Sequence, residues 1–282
     1  MIIVVLGSGP AGLMAAQGAA DAFSHVARSG NPLSLGIISH GDKSPLYGSQ
    51  YLHEPIPGVT PDDSVVLGYQ LRGNSDDYRR KVYGSMWIGT VSPEDLAEQH
   101  RAWDIRATYD LLWDKWSDAL NAANIDPITM NRMLTDRRPP HLVINSIPRS
   151  ALCHGGHVFG ATEVWAAGDA PELGIYIPYA CPRNMVVCNG EDNPAWYRMS
   201  NVFGRTTVEW PGSIAKVPVT TAARVQKPTQ HNCDCWSESS ILHVGRYGEW
   251  SKGVLSHTAY HKAYNRVEEM LNAATETTAH LS

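Results

Sequence analysis

The chain is short of phenylalanine, with three against nine tryptophans and twelve tyrosines in 282 residues. Aromatic burial therefore falls on side chains with a polar tip, each of which wants a partner once out of water. Charge is sparse as well: Asp, Glu, Lys and Arg make up 18% of the chain and the formal net charge is −5. No global positive field is available, so nucleic acid is unsupported as a partner and an anionic membrane surface is not expected. No apolar run reaches the roughly 18 residues needed to cross a bilayer. The opening residues lack the basic segment of a secretory signal, so a cytoplasmic protein is expected. The five cysteines, Cys153, Cys181, Cys188, Cys233 and Cys235, are odd in number and scattered, which suits reduced thiols. Cys233-Asp234-Cys235 lies beside His231 but lacks a second ligand pair at zinc spacing, so no metal is expected.

What is present begins at residue 2. The apolar run Ile2-Ile3-Val4-Val5-Leu6 has strand length and meets Gly7-Ser8-Gly9-Pro10-Ala11-Gly12, followed by an alanine-rich helix over about 11–28. Gly7 permits the tight turn, Gly9 lets a phosphate approach the backbone, and Gly12 lets helix and strand pack closely. The helix N-terminus then offers unpaired N–H groups and a positive dipole end to a pyrophosphate. This pattern in this context predicts dinucleotide binding.

Two further absences narrow the ligand. The second parallel strand, about residues 33–39, ends in Ser39-His40-Gly41-Asp42 without the acid that usually takes a ribose hydroxyl. His40 and Asp42 are the groups on offer there, Asp42 by a longer reach. There is also no second G-x-G-x-x-G for a nicotinamide nucleotide, so one dinucleotide is expected and the rest of the chain must build a substrate chamber.

Residues 43–58 form a Pro- and Gly-punctuated loop carrying Tyr47, Gly48, Ser49, Gln50, Tyr51 and His53 where a bound cofactor would extend. His53 suits a base near neutral pH. Residues 62–92 read as short strands and turns. Ser92-Pro93-Glu94-Asp95 reads as a helix start. Residues 104–123 form an amphipathic helix, 141–148 a buried strand, and 185–210 antiparallel strands. Near the C-terminus a strand runs into Gly245-Arg246-Tyr247-Gly248-Glu249-Trp250, then a long helix from about residue 254. Arg246 is a candidate bidentate donor to the pyrophosphate. Gly253, Val254 and Leu255, at the expected helix N-terminus, are candidates to face a flavin edge. Cys153-His154 and His157 offer a Cys–His pair without a third orienting group.

These anchors, in this order, resemble those of the FAD-dependent amine-oxidase and UDP-galactopyranose-mutase-like superfamily. The resemblance rests on the N-terminal glycine turn, on Tyr47-Gly48-Ser49-Gln50-Tyr51 and on Leu142 to Pro148. It continues through Val186-Val187-Cys188-Asn189, Tyr197-Arg198 and Thr206-Thr207-Val208-Glu209, and closes on Gly245 to Trp250. The run Gly48 to His53 with Pro55-Ile56-Pro57-Gly58 is also similar to small stand-alone FAD proteins of actinobacteria and their phages.

The resemblance implies an α/β fold. A Rossmann-like FAD-binding domain (1–60, 141–150 and 240–282) would be interleaved with a smaller mixed or antiparallel-sheet substrate domain with helices (61–140 and 151–239). It implies FAD held by Gly7, Gly9, Pro10, Ala11, Gly12, His40, Asp42, Gly48, Ser49, Gln50, Gly245, Arg246, Gly253, Val254 and Leu255. His53, Tyr51, Gln50 and Trp250 are the candidate catalytic residues, and Arg198 and Tyr197 the candidate substrate contacts. The expected activity is hydride transfer to flavin from a C–H next to an amine or hydroxyl of a small or conjugated substrate. A non-redox flavoenzyme acting on a nucleotide-linked or nucleic-acid-linked substrate, and a non-catalytic dinucleotide-binding protein, are the alternatives. A homodimer is the base expectation.

Overall fold

The computed structural model describes residues 1–26, 32–48, 51–84, 99–168, 181–238 and 240–279. Its first layer is a parallel sheet. Strands β1 (Ile2–Leu6), β2 (Ser34–Ser39), β5 (Leu120–Ala122), β6 (Leu142–Asn145) and β12 (Ile241–His243) lie in the order β12-β6-β1-β2-β5. Every pairing is parallel, as expected of strands apolar on both faces and covered by helices. Helix α1 (Pro10–Val26) and the last helix, α6 (Thr258–Ala279), cover one side. The shared core takes Leu13, Met14 and Ala16 of α1, Ala259, Ala263 and Val267 of α6, and Ile105, Tyr109 and Leu112 of α3 (Ile105–Trp116).

The second layer is a seven-stranded sheet. It joins β3 (Ser64–Arg72), β4 (His100–Trp103), β7 (Phe159–Gly168), β8 (Met185–Asn189), β9 (Arg198–Val202), β10 (Arg205–Pro211) and β11 (Ala223–His231) in the order β11-β7-β10-β9-β8-β3-β4. Only β3–β8 is parallel; the other pairs are antiparallel. The α/β class with one parallel and one mixed sheet is as the sequence led us to expect.

Three local expectations are corrected. Residues 104–123 are not one helix: α3 ends at Trp116 and 120–122 turn into β5, which pairs with β2. This stretch, assigned by sequence to the second unit, thus packs with the first, because Ile105, Tyr109 and Leu112 bury against α1. The final helix begins at Thr258, not near 254. Within the segment read as strands and turns, Ser75–Tyr83 is a helix, α2, capped by Asn74 accepting from the Asp77 N–H at 2.8 Å. Ser92 to Asp95 lie outside the described residues.

Candidate functional site

The glycine turn has the expected mechanics. Gly7 sits at φ +97 and its N–H donates to the Ile38 carbonyl at 2.8 Å, clipping the turn to β2. A Cβ on Gly12 would overlap the Gly7 carbonyl, so helix and turn touch backbone to backbone. Gly9 is different. A Cβ there would meet nothing nearer than Ser44 Oγ at 3.7 Å, so the space above it is open. No acidic residue stands in the first turn of α1. Pro10 and Ala11 open the helix, and Gly245, at φ +70, packs on Ala11 so closely that a Cβ would come within 2.5 Å of the Ala11 Cβ. Gly245–Gly248 forms a short helix, α5, and a Cβ on Gly248 would strike the Asn145 carbonyl at the end of β6. The first and last segments therefore meet at the carboxyl ends of the parallel strands, where open α/β sheets bind ligands.

At the end of β2 the missing acid is replaced by a buried hydroxyl. Ser39 Oγ shares a 2.5 Å hydrogen bond with Ser8 Oγ and accepts from the Gly41 N–H at 3.2 Å. His40 and Asp42 are exposed beyond it. Tyr109 supports the turn from below: its hydroxyl donates to the Ser8 carbonyl at 2.8 Å and accepts from the Ser44 N–H at 3.1 Å.

The mixed sheet offers the chemistry. Its register aligns Cys188 with Arg198 and Arg198 with Glu209, so these side chains share one face. Lys227 on β11 and Ala166 on β7 lie on that face too, through the β11–β7 and β10–β7 registers. Glu209, 2% exposed, receives Arg198 Nη2 at 2.6 Å and Lys227 Nζ at 2.7 Å. Lys227 Nζ also donates to the buried Tyr197 hydroxyl at 3.0 Å. A Cβ on Gly48, at φ +80, would collide with Glu209, so the cofactor-side loop rests directly on this carboxylate. Arg106 holds that loop by donating to the Leu46 carbonyl at 3.0 Å.

Burial opposes the Glu209 charge, yet Arg198 and Lys227 bring its pKa down to about 2. Burial, helped by the neighbouring Arg198, pulls Lys227 to about 7 despite Glu209. Arg246 belongs to the same field. Burial and then Arg198 lower its pKa, while Tyr83, Tyr247 and Glu209 oppose that shift. The buried Nε atoms of Arg198 and Arg246 have no hydrogen-bond partner. One carboxylate thus faces three basic side chains, two of them with an orphan N–H.

The remaining candidates fall in two places. His53 packs against Tyr51, His100 and His257, with ring centroids 5.1, 5.8 and 6.1 Å away. Burial and then His100 lower its pKa, so it is a neutral imidazole more readily than a free histidine. Tyr69 stands edge-on to His100, at 5.9 Å. Burial pushes its hydroxyl up to about 12, while Arg198 pulls the other way. Tyr69 thereby links the histidines to the charged strip. Trp250 is buried, its indole N–H donates to the Gly160 carbonyl at 2.9 Å, and its ring meets Phe159 edge-on at 5.3 Å. Gly253, Val254 and Leu255 precede α6 instead of opening it, and Leu255 is exposed. Ser49 and Gln50 lie outside the described residues. Sequence reasoning missed Lys227, because a lone lysine in an alternating strand carries no signal until register sets it beside Glu209.

Comparison with known proteins follows this geometry. No family model matches the chain, and no curated protein matches it in sequence. Among solved structures, a flavin-dependent halogenase from a Brevundimonas species is 14% identical, over 95% of this chain and 71% of that one, with a TM-score of 0.52. The 2,6-dihydroxypyridine-3-hydroxylase of Arthrobacter nicotinovorans is 11% identical over 96% of this chain and 84% of its own, with a TM-score of 0.50. A tryptophan 6-halogenase from Streptomyces toxytricini gives 12% identity, 96% and 71% coverage, and a TM-score of 0.50. The chain shares the fold of these three structures. The amine-oxidase and mutase resemblance is thereby reduced to its coarser part, since these similar structures are named halogenases and a hydroxylase. Among the described residues, no helix is long and apolar enough to cross a membrane.

Proposed function

We propose that the chain is an FAD-dependent oxidoreductase acting on a small or conjugated substrate that carries an anionic group. The observation that supports the cofactor is the open space over Gly9, in a turn whose other two glycines are tightly packed. A Cβ there would fill the cradle a pyrophosphate needs. Gly9, Ala11 and Gly12 would hold the pyrophosphate by backbone N–H groups, with Pro10 shaping the first turn of the helix. Ser39, His40 and Asp42 would meet the ribose, while Gly48 and the Gly245–Gly248 turn would flank the ring. Bound FAD supplies hydride acceptance at its ring.

The chain's own part is to bind, orient and move a proton. The orphan N–H groups of Arg198 and Arg246 would take a carboxylate or phosphate of the substrate as charge-assisted donors. Glu209 keeps Arg198 in place and stays ionised, so it is not the base. Lys227 is the proton acceptor: its pKa of about 7 leaves much of it neutral at physiological pH. Tyr197 accepts a hydrogen bond from the Lys227 amine and orients it. His53 would serve the far end of the chamber. The preferred reaction is oxidation of a C–H bond next to an amine or hydroxyl, with the proton of that heteroatom passing to Lys227 Nζ.

The test is anaerobic mixing of the yellow protein with amino acids, hydroxy acids and their phosphate esters. Bleaching of the flavin by an anionic member is expected, and persistent colour across the panel refutes the reaction. The same excess of cations favours a second reading, a non-redox flavoenzyme acting on a nucleotide-linked substrate. Activity that appears only after chemical reduction of the flavin would select it. A colourless protein that takes up no FAD would leave only dinucleotide-like scaffolding.

A further inference from the structure

Away from the charged strip, the chain brings together Cys153, His157, Cys233 and Cys235, whose ligand atoms all lie within 4.8 Å of one another. His157 Nδ1 lies 3.2 Å from Cys153 Sγ and 3.6 Å from Cys235 Sγ. A tetrahedral zinc ion with ordinary Zn–S and Zn–N bond lengths requires ligand atoms about 3.6 to 3.8 Å apart. The cluster is therefore within a small side-chain adjustment of that geometry.

The surroundings are those of a metal site. The other ring nitrogen of His157, Nε2, lies 3.2 Å from the Asp234 carboxylate, which would set the tautomer and leave Nδ1 free to ligate. The Gly155 N–H donates to Cys153 Sγ at 3.3 Å, as a thiolate held in a turn requires. Gly155 and Gly156, at φ +105 and +79, let the chain double back between Cys153 and His157. His231, two residues before Cys233, is otherwise engaged: its Nδ1 accepts from the Cys233 N–H at 3.0 Å. Cys153 and His157 thus come with hydrogen-bonded support, and the cysteines are free thiols.

We propose that Cys153, His157, Cys233 and Cys235 form a structural zinc site. Three thiolates and one imidazole select zinc by ligand softness and tetrahedral placement, and four protein ligands leave no open position for catalysis. Its place in the fold explains its use. Cys153 and His157 lie where the chain leaves β6 of the parallel sheet for β7 of the mixed sheet. Cys233 and Cys235 lie where it returns from β11 to β12. One ion thus ties two of the four crossings between the sheets, β6 to β7 and β11 to β12, and closes a long loop, where a clip constrains the chain most. Binding releases the thiol protons, so affinity falls in acid.

The test is metal analysis of the full-length protein purified under reducing conditions, followed by zinc titration of the metal-stripped protein against a chromophoric chelator. One zinc per chain is expected. Cys153→Ser and Cys235→Ser should lose it, and Cys181→Ser, a buried thiol of another cluster, should retain it. Asp234→Asn should bind zinc about 10- to 100-fold more weakly, the usual effect of removing a ligand's hydrogen-bond partner. Because a serine variant can fail by misfolding, the wild-type protein is also loaded with cobalt(II). Intense tetrahedral ligand-field bands with thiolate charge transfer are expected. Failure of the reduced wild type to take up either metal, equal zinc loss in Cys181→Ser, or a disulfide among the three cysteines of the freshly purified protein would each overturn the proposal.

Discussion

Replacing Glu209 by glutamine tests how the charged strip is held together. Glu209 is 2% exposed and accepts two ion pairs, at 2.6 Å from Arg198 and 2.7 Å from Lys227. Burial raises its carboxyl pKa, but the two cations bring it from the ordinary 4.5 to about 2. That difference is worth on the order of 3 kcal/mol to the folded state. Because the folded value is the lower one, the contribution is complete above pH 4.5 and is lost as pH falls toward 2. Glu209→Gln preserves the shape and leaves Arg198 buried without its counter-charge, so a loss of about 3 to 5 kcal/mol is expected at pH 7.

Lys227→Met provides the contrast. It removes an amine whose charge the site already resists, and it leaves the Arg198–Glu209 pair intact. A cost below about 1.5 kcal/mol is expected. Lys227 also carries the opposite pH dependence. Its folded pKa of about 7 lies below the ordinary 10.5, so the unfolded chain holds the extra proton and wild-type stability rises between those values. Lys227→Met should remove that rise. The assay is urea unfolding followed by tryptophan fluorescence across pH. Equal losses in the two variants, or Glu209→Gln within about 1 kcal/mol of wild type, would refute the assignment of Glu209 as the keystone of the strip.

Other expectations follow from the same geometry. Gly9→Ala should fold with stability within about 0.5 kcal/mol of wild type yet lose FAD, measured by flavin content after purification; retention of full flavin would remove the cradle argument. Gly12→Ala should lose both flavin and stability, since its Cβ would overlap the Gly7 carbonyl. Turnover should rise with pH through about 7 as Lys227 becomes neutral, and Lys227→Arg should abolish turnover at every pH because a guanidinium stays protonated. Tyr109→Phe should cost about 1 to 3 kcal/mol in urea unfolding, because the Ser8 carbonyl and Ser44 N–H both lose a buried partner.

The sequence by itself determined the local structure of the first twelve residues. An apolar strand, three spaced glycines and a helix start are local, and their mechanics need no distant residue. It also determined the class of fold and the presence of an antiparallel stretch over 185–210, because strand alternation and turn residues are local signals too. The Gly245–Gly248 turn was legible as a second glycine-built corner, but its packing on Ala11 was not.

Tertiary structure decided what depends on register and on chain return. Lys227 joins Glu209 only because β7 stands between β10 and β11 with a particular pairing. Residues 120–122 form a strand because β2 has a free edge to accept them, although their flanks read as helix. Cys153 and His157 meet Cys233-Asp234-Cys235 because they flank the antiparallel pair of β7 and β11, whose register sets Phe159 opposite His231. Spacing along the chain could not show that ligand pair, since the proximity arises from the sheet pairing and not from any local pattern.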